Sequence, residues 1–128
     1  MNKDELRGRT KQFALHVTQL CRILPNTPDG RMIANQLLRS GTSVGTNYRA
    51  VCRARSKAEF ASRSAVVLEE ADESVFWLEL LAEGAVSTSQ LVAPLRAEAE
   101  ELVRIFGSAE HTARTQIQNP KSQFPYSL

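Results

Sequence analysis

Residues 56–84 read SKAEFASRSAVVLEEADESVFWLELLAEG, and this stretch decides the fold class. Phe60, Ser64, Val67, Ala71, Val75, Leu78 and Leu81 recur every three or four positions, the period of a helix that buries one face. No proline or glycine intervenes before Gly84, so the segment predicts a helix about 40 Å long at the usual rise per residue. Ser56-Lys57-Ala58-Glu59 has the S-x-x-E form of a capping box, in which a serine oxygen and a glutamate carboxylate satisfy the free amides of the first turn. A rod of this length needs neighbours to cover its apolar stripe, and the flanking sequence supplies them.

Upstream, Leu6, Thr10, Phe13, Val17, Leu20 and Leu24 mark a first helix that Pro25-Asn26-Thr27-Pro28 ends. A second begins at Pro28 and Asp29, a proline tolerated in the first turn and an acid favoured at the positive end of the helix dipole. Its apolar line is Ile33, Leu37, Gly41, Val44, Tyr48 and Val51. Gly41 and Gly45 each cost about 1 kcal/mol relative to alanine inside a helix, which predicts the close approach of another backbone, with a kink as the alternative. Downstream, Ser87-Thr88-Ser89-Gln90 is a second candidate N-cap. Leu91, Leu95, Ala99, Leu102 and Phe106 form a fourth stripe that Gly107 is expected to stop.

Short connections leave consecutive helices antiparallel. The expectation is an all-α, antiparallel up-down-up-down four-helix bundle over residues 1–107. Residues 108–128, with Asn119-Pro120 and Phe124-Pro125-Tyr126, show no sustained period and read as an extended or flexible C-terminal tail. The chain of 128 residues, 42% hydrophobic and 23% charged, fits one soluble domain and is too apolar for a disordered one. No run approaches the roughly twenty apolar residues of a membrane span, and no apolar segment follows the charged N-terminus, so the expected location is cytoplasmic, with no membrane partner.

The familiar signs of chemistry are missing. Di-metal bundles use Glu-x-x-His pairs, whereas Phe13 precedes His16 by three places and Ser108 precedes His111. There is no GxxxxGK[ST] loop, GxSxG elbow or CxxC pair. Glu69, Glu70 and Glu73 read as a solvated acidic face. Cys21 and Cys52 read as free thiols, because an antiparallel pairing of helices one and two sets them roughly 28 Å apart, far beyond the roughly 7 Å a bridge allows. A non-enzymatic protein with no metal and no cofactor is expected.

Charge is strongly partitioned. Residues 31–63 hold seven cations (Arg31, Arg39, Arg49, Arg53, Arg55, Lys57 and Arg63) against Glu59 alone, while residues 64–110 hold ten acids against Arg96 and Arg104. One reading is pairing of basic helix two with acidic helices three and four, within or between subunits. The other is a phosphate-binding surface of Arg39, Arg49, Arg53, Arg55, Lys57 and Arg63, since guanidinium forks match phosphate oxygens. Helix two also carries Gln36, Ser40, Ser43 and Asn47 on one face, suited to a wet contact between subunits or to plain solvation. On helix three Phe76, Trp77 and Leu80 fall off the main stripe, and a helix apolar on two sides buries two sides. Trp77 is therefore a candidate anchor for self-association.

The stretches Gln36–Arg49, Ala54–Phe60, Glu69–Ser74 and Trp77–Leu81 together resemble the four-helix bundle proteins encoded by intervening sequences in 23S ribosomal RNA genes. The resemblance spans residues 5–107. It implies a bacterial protein forming a ring-like homopentamer. It further implies kinship with the accessory proteins of diversity-generating retroelements, which bind nucleic acid and a reverse transcriptase through a basic surface. Ala50-Val51 follows Asn47-Tyr48-Arg49 where the family commonly has Glu-Ala, so an acid able to restrain Arg49 or Arg53 is missing. Two functions are thus expected in competition: RNA or DNA binding through the six cations, or a protein-interaction scaffold whose charge asymmetry serves subunit assembly.

Overall fold

The computed structural model describes residues 1–118. Four helices follow in order, α1 (Lys3–Arg22), α2 (Pro28–Cys52), α3 (Lys57–Glu83) and α4 (Val92–Ile117), with no strand among the described residues. The first three start where side chains can cap them. Asn2 accepts from the Glu5 amide at 2.8 Å and returns a bond to the Glu5 carboxylate at 3.1 Å. Thr27 accepts from the Gly30 amide at 3.2 Å, and Ser56 from the Glu59 amide at 3.0 Å. At the start of α2 the Thr27 hydroxyl and then the Gly30 amide hold the Asp29 carboxyl below its ordinary range, as an anion at a helix N-terminus should be.

Side-chain contacts run in opposite senses along each successive pair. Cys21 reaches Ala34 and Val17 meets Gly41; Ser40 meets Ser74 and Arg63 reaches Ala50; Arg96 meets Glu79 and Glu83 while Gly107 lies by Leu68. The bundle is antiparallel, as the short connections predict. All four stripes meet in one core: Leu6, Phe13 and Leu20 from α1, Leu37, Val44 and Tyr48 from α2, Val67, Leu78 and Leu81 from α3, and Leu95, Leu102 and Phe106 from α4 are buried. Tyr48 touches Phe106 edge-on at 5.5 Å between ring centres, joining α2 to α4 across the middle in the geometry aromatic rings favour. The close approach of another backbone expected at Gly41 and Gly45 is not found at the first, where a Cβ would lie 2.8 Å from a Val17 methyl, a side chain; at the second it would lie 3.5 Å from the Thr10 carbonyl oxygen, a backbone atom at ordinary contact distance. The helix continues through both.

Three further expectations need correction. Helix α4 does not stop at Gly107 but runs to Ile117, so residues 108–117 are helix rather than tail. A glycine stop requires the left-handed conformation, and no glycine adopts a positive φ; Ala113, seven residues past Phe106, keeps the stripe buried instead. The remainder of the expected tail, from 119 onward with Phe124 and Tyr126, lies outside the described residues. Secondly, Ser87-Thr88-Ser89-Gln90 is not the cap of α4. Ser87 and Ser89 accept from the amides of Ser89 and Leu91 at 3.2 and 3.1 Å in two successive turns, and the N-cap is Leu91 without a side-chain bond. Thirdly, Glu59 turns its carboxylate to Arg63 at 2.7 Å, whereas the S-x-x-E pattern predicts a return bond to the cap.

Helix α3 ends in a Schellman arrangement, with the Val86 amide on the Leu81 carbonyl at 3.1 Å and the Ala85 amide on Ala82 at 3.4 Å. The left-handed position is Ala85, at φ 53°. Gly84 sits one residue earlier, where a Cβ would meet the Leu80 carbonyl oxygen at 2.7 Å. Among the described residues no helix is long and apolar enough to cross a membrane.

Candidate nucleic-acid interface

The two flanks of α2 meet different fates because helical spacing turns its cations in different directions. Arg39 faces α3. Its guanidinium donates to Glu70 at 3.1 Å and also pairs with Glu73. Arg63, half-buried on α3, is held by Glu59 at 2.7 Å and by the Ala50 carbonyl at 2.7 Å. These two cations are neutralised at the α2–α3 seam, which realises within the chain part of the charge pairing expected from the sequence. Arg49, Arg53 and Arg55 are exposed, and their side chains make no ion pair or hydrogen bond among the described residues. Lys57 is the half-buried first residue of α3. Of the six expected phosphate-binding cations, Arg39 and Arg63 are thus paired with carboxylates and Arg49, Arg53 and Arg55 are not.

The polar line of α2 lies on its α3 flank. Ser40 is fully buried and shares a 2.8 Å hydrogen bond with Ser74, which ties α2 to α3 within the chain rather than serving a surface contact. Ser43 donates to the Arg39 carbonyl at 2.6 Å, and Asn47 to the Ser43 carbonyl at 2.8 Å. Gln36 is half-buried. Trp77 is half-buried too, its indole donating to Glu73 at 3.2 Å. The exposed aromatic is its neighbour Phe76, 51% accessible and edge-on to Trp77 at 5.0 Å.

Sequence reading missed the basic contribution of α1. Lys3, Arg7 and Lys11 lie four residues apart on one helix face, and Arg7 and Lys11 line a groove of about 230 Å³ whose far wall carries Arg49. The spacing was visible in the sequence, but only the fold shows that this face of α1 adjoins the Arg49 flank of α2. Catalytic geometry is not evident. Among the described residues no cluster of three His, Cys, Asp or Glu side chains could hold a metal. Burial pushes the Cys21 thiol up to about 11 while it donates to the Ala34 carbonyl at 3.5 Å, the reverse of an activated nucleophile. The Tyr48 hydroxyl is buried without a hydrogen-bond partner; burial first, and then the neighbouring Cys52 thiol, push its pKa up and disfavour the phenolate. Both cysteines are free.

A compact antiparallel bundle bearing separate paired and unpaired basic flanks defines a class of all-helical protein rather than a reaction. Residues 3–108 match the model of the 23S rRNA-intervening sequence protein family. The chain belongs to that family. Its structure is similar, with a TM-score of 0.76 and 29% identity, to the crystal structure of a protein of unknown function from the S23 ribosomal protein family of Bacteroides thetaiotaomicron. The similarity covers 87% of this chain and 99% of that one. No curated protein matches the chain.

Proposed function

We propose that the protein is a non-enzymatic, self-associating helical bundle that binds nucleic acid through the basic end of α2 and the turn that follows. The observation that carries this reading is the sorting of the arginines: Arg39 and Arg63 have carboxylate partners, whereas Arg49, Arg53 and Arg55 stand in solvent without one among the described residues. Arg49 in the last turn of α2 also suits the negative end of the helix dipole, but that effect reaches only one turn and leaves Arg53 and Arg55 unaccounted for. Self-association is supported by the outer face of α3, where Val66 and Phe76 are 40% and 51% accessible and share an arc with Trp77 and Leu80. The resemblance stated above makes five the subunit number to test.

Binding through phosphates releases counterions, so affinity must fall steeply with salt. Retention on immobilised RNA and DNA at low and high salt tests this, with the assembled mass measured by sedimentation. The double variant Arg49→Glu/Arg53→Glu is expected to keep its mass and lose retention. An assembly that dissociates on this charge reversal, or a wild-type protein that is not retained at low salt, overturns the reading; the first result favours a scaffold whose arginines serve assembly.

A further inference from the structure

The geometry points to the α1–α2 groove as the seat of a single-stranded phosphodiester backbone, with Lys11 and Arg7 of α1 opposing Arg49 of α2. This rests on the nucleic-acid reading above and places the strand on a helix that reading does not use. Gly45 lies in the floor of the groove, where a Cβ would come to 3.5 Å from the Thr10 carbonyl oxygen, an ordinary contact. Thr10, Ala14, Thr42, Gly45 and Thr46 form the rest of the lining, and none of the lining residues is acidic.

The lining also says what kind of ligand fits. Thr10 donates its hydroxyl proton to the Leu6 carbonyl at 3.0 Å, Thr42 to Leu38 at 2.6 Å and Thr46 to Ser43 at 3.2 Å. Their donors are committed to the helices, Thr10 is buried, and Thr42, Thr46 and Ala14 remain to meet a ligand with methyl groups and with hydroxyl oxygens that can only accept. Such a floor offers no free hydroxyl donor, but it can contact base faces while the rim cations hold phosphates. Those faces are accessible in a single strand and stacked away in a duplex. Lys11 has no hydrogen-bond or ion-pair partner among the described residues. Arg7 has only the exposed Asp4, a surface pair weak enough to be exchanged for phosphate. The rim continues from Lys11 to Lys3 over about 12 Å of helix, and antiparallel packing brings Arg53 alongside that end. The groove is therefore a stretch of a longer basic track, as a strand requires and a lone small anion does not.

The test uses the full chain and fluorescent oligonucleotides of roughly twelve nucleotides, within the range single-strand sites cover. Circular dichroism confirms that each variant folds. Arg7→Ala/Lys11→Ala is expected to weaken single-strand binding at least about fivefold near 50 mM salt and to reduce the slope of log affinity against log salt by about 1.4, two phosphate contacts' worth. Ala14→Leu fills the floor without altering charge. It is expected to weaken binding with the slope unchanged, which a diffuse basic surface does not predict. Arg104→Ala on α4 serves as a distant cation control and leaves binding as it was. If Arg49→Glu/Arg53→Glu abolishes binding while the Arg7/Lys11 variant binds like wild type, the groove assignment falls and the wider reading stands. If wild type binds no oligonucleotide, both fall. Tighter binding of the duplex than of the single strand, or of a mononucleotide as tightly as of the oligonucleotide, also overturns the assignment.

Discussion

Gly41 and Gly45 stand one helical turn apart on the same helix, and the sequence treats them alike. The structure does not. A Cβ at Gly41 would lie 2.8 and 2.9 Å from the two methyls of Val17, which is fully buried and stiff at χ1. At Gly45 the nearest atom would be 3.5 Å away. Alanine in place of glycine gains about 1 kcal/mol of helix propensity at either site, but overpacking at a rigid core position costs about 1–3 kcal/mol. Gly41→Ala is therefore expected to lower the unfolding free energy and Gly45→Ala to raise it, as read by urea denaturation. A shift of the same sign in both would show that the α1–α2 contact is looser than these distances. Glycine at each position predicts a close approach; which of the two is filled by a neighbour depended on Val17, twenty-four and twenty-eight residues away in the chain.

Among the elements, the ends of α3 and α4 separate what glycine can signal from what it does. Gly84 and Gly107 both follow an apolar stripe, and both suggest termination. At the end of α3 the left-handed residue is Ala85, which bears a strain that glycine would not. In α4, Gly107 is an interior helical residue whose missing Cβ would meet only a Leu68 methyl at 3.8 Å. Ala85→Gly and Gly107→Ala are thus both expected to stabilise the bundle by about 1 kcal/mol, measured as a higher thermal midpoint for each. A lower midpoint for Gly107→Ala would mean that the last turns of α4 need that glycine after all. The capping box at Ser56 was legible because the serine half is local; the glutamate half was not, because Arg63 competes for the carboxylate one turn further on.

Across the whole molecule, the four helices are not held equally. Helix α1 packs along α2 but meets α4 sparsely, and their clearest tie is the two-pronged bond from Arg9 to Glu98 at 2.7 and 2.8 Å. That bond raises the Arg9 ionisation against the opposing effect of burial. Beside it a groove of about 410 Å³, lined in part by Phe13, His16 and Pro94, opens between the two helices. Regions with few buried contacts open first. Native-state hydrogen exchange is expected to show α1 amides exchanging through a lower-energy opening than those of α3, which lies between α2 and α4. Equal protection of α1 and α3 would point to a fully cooperative bundle.

The sequence by itself determined four helices, their stripes, their antiparallel order and the segregation of charge, because each follows from spacing within one segment or from the shortness of a connection. Only the tertiary structure decided which arginines are neutralised. Arg39 and Arg49 look equivalent along the chain, yet one turns toward the carboxylates of α3 and the other toward the lysine and arginine of α1. Coulomb attraction depends on distance through space, and the rotation of α2 between its two neighbours sets that distance.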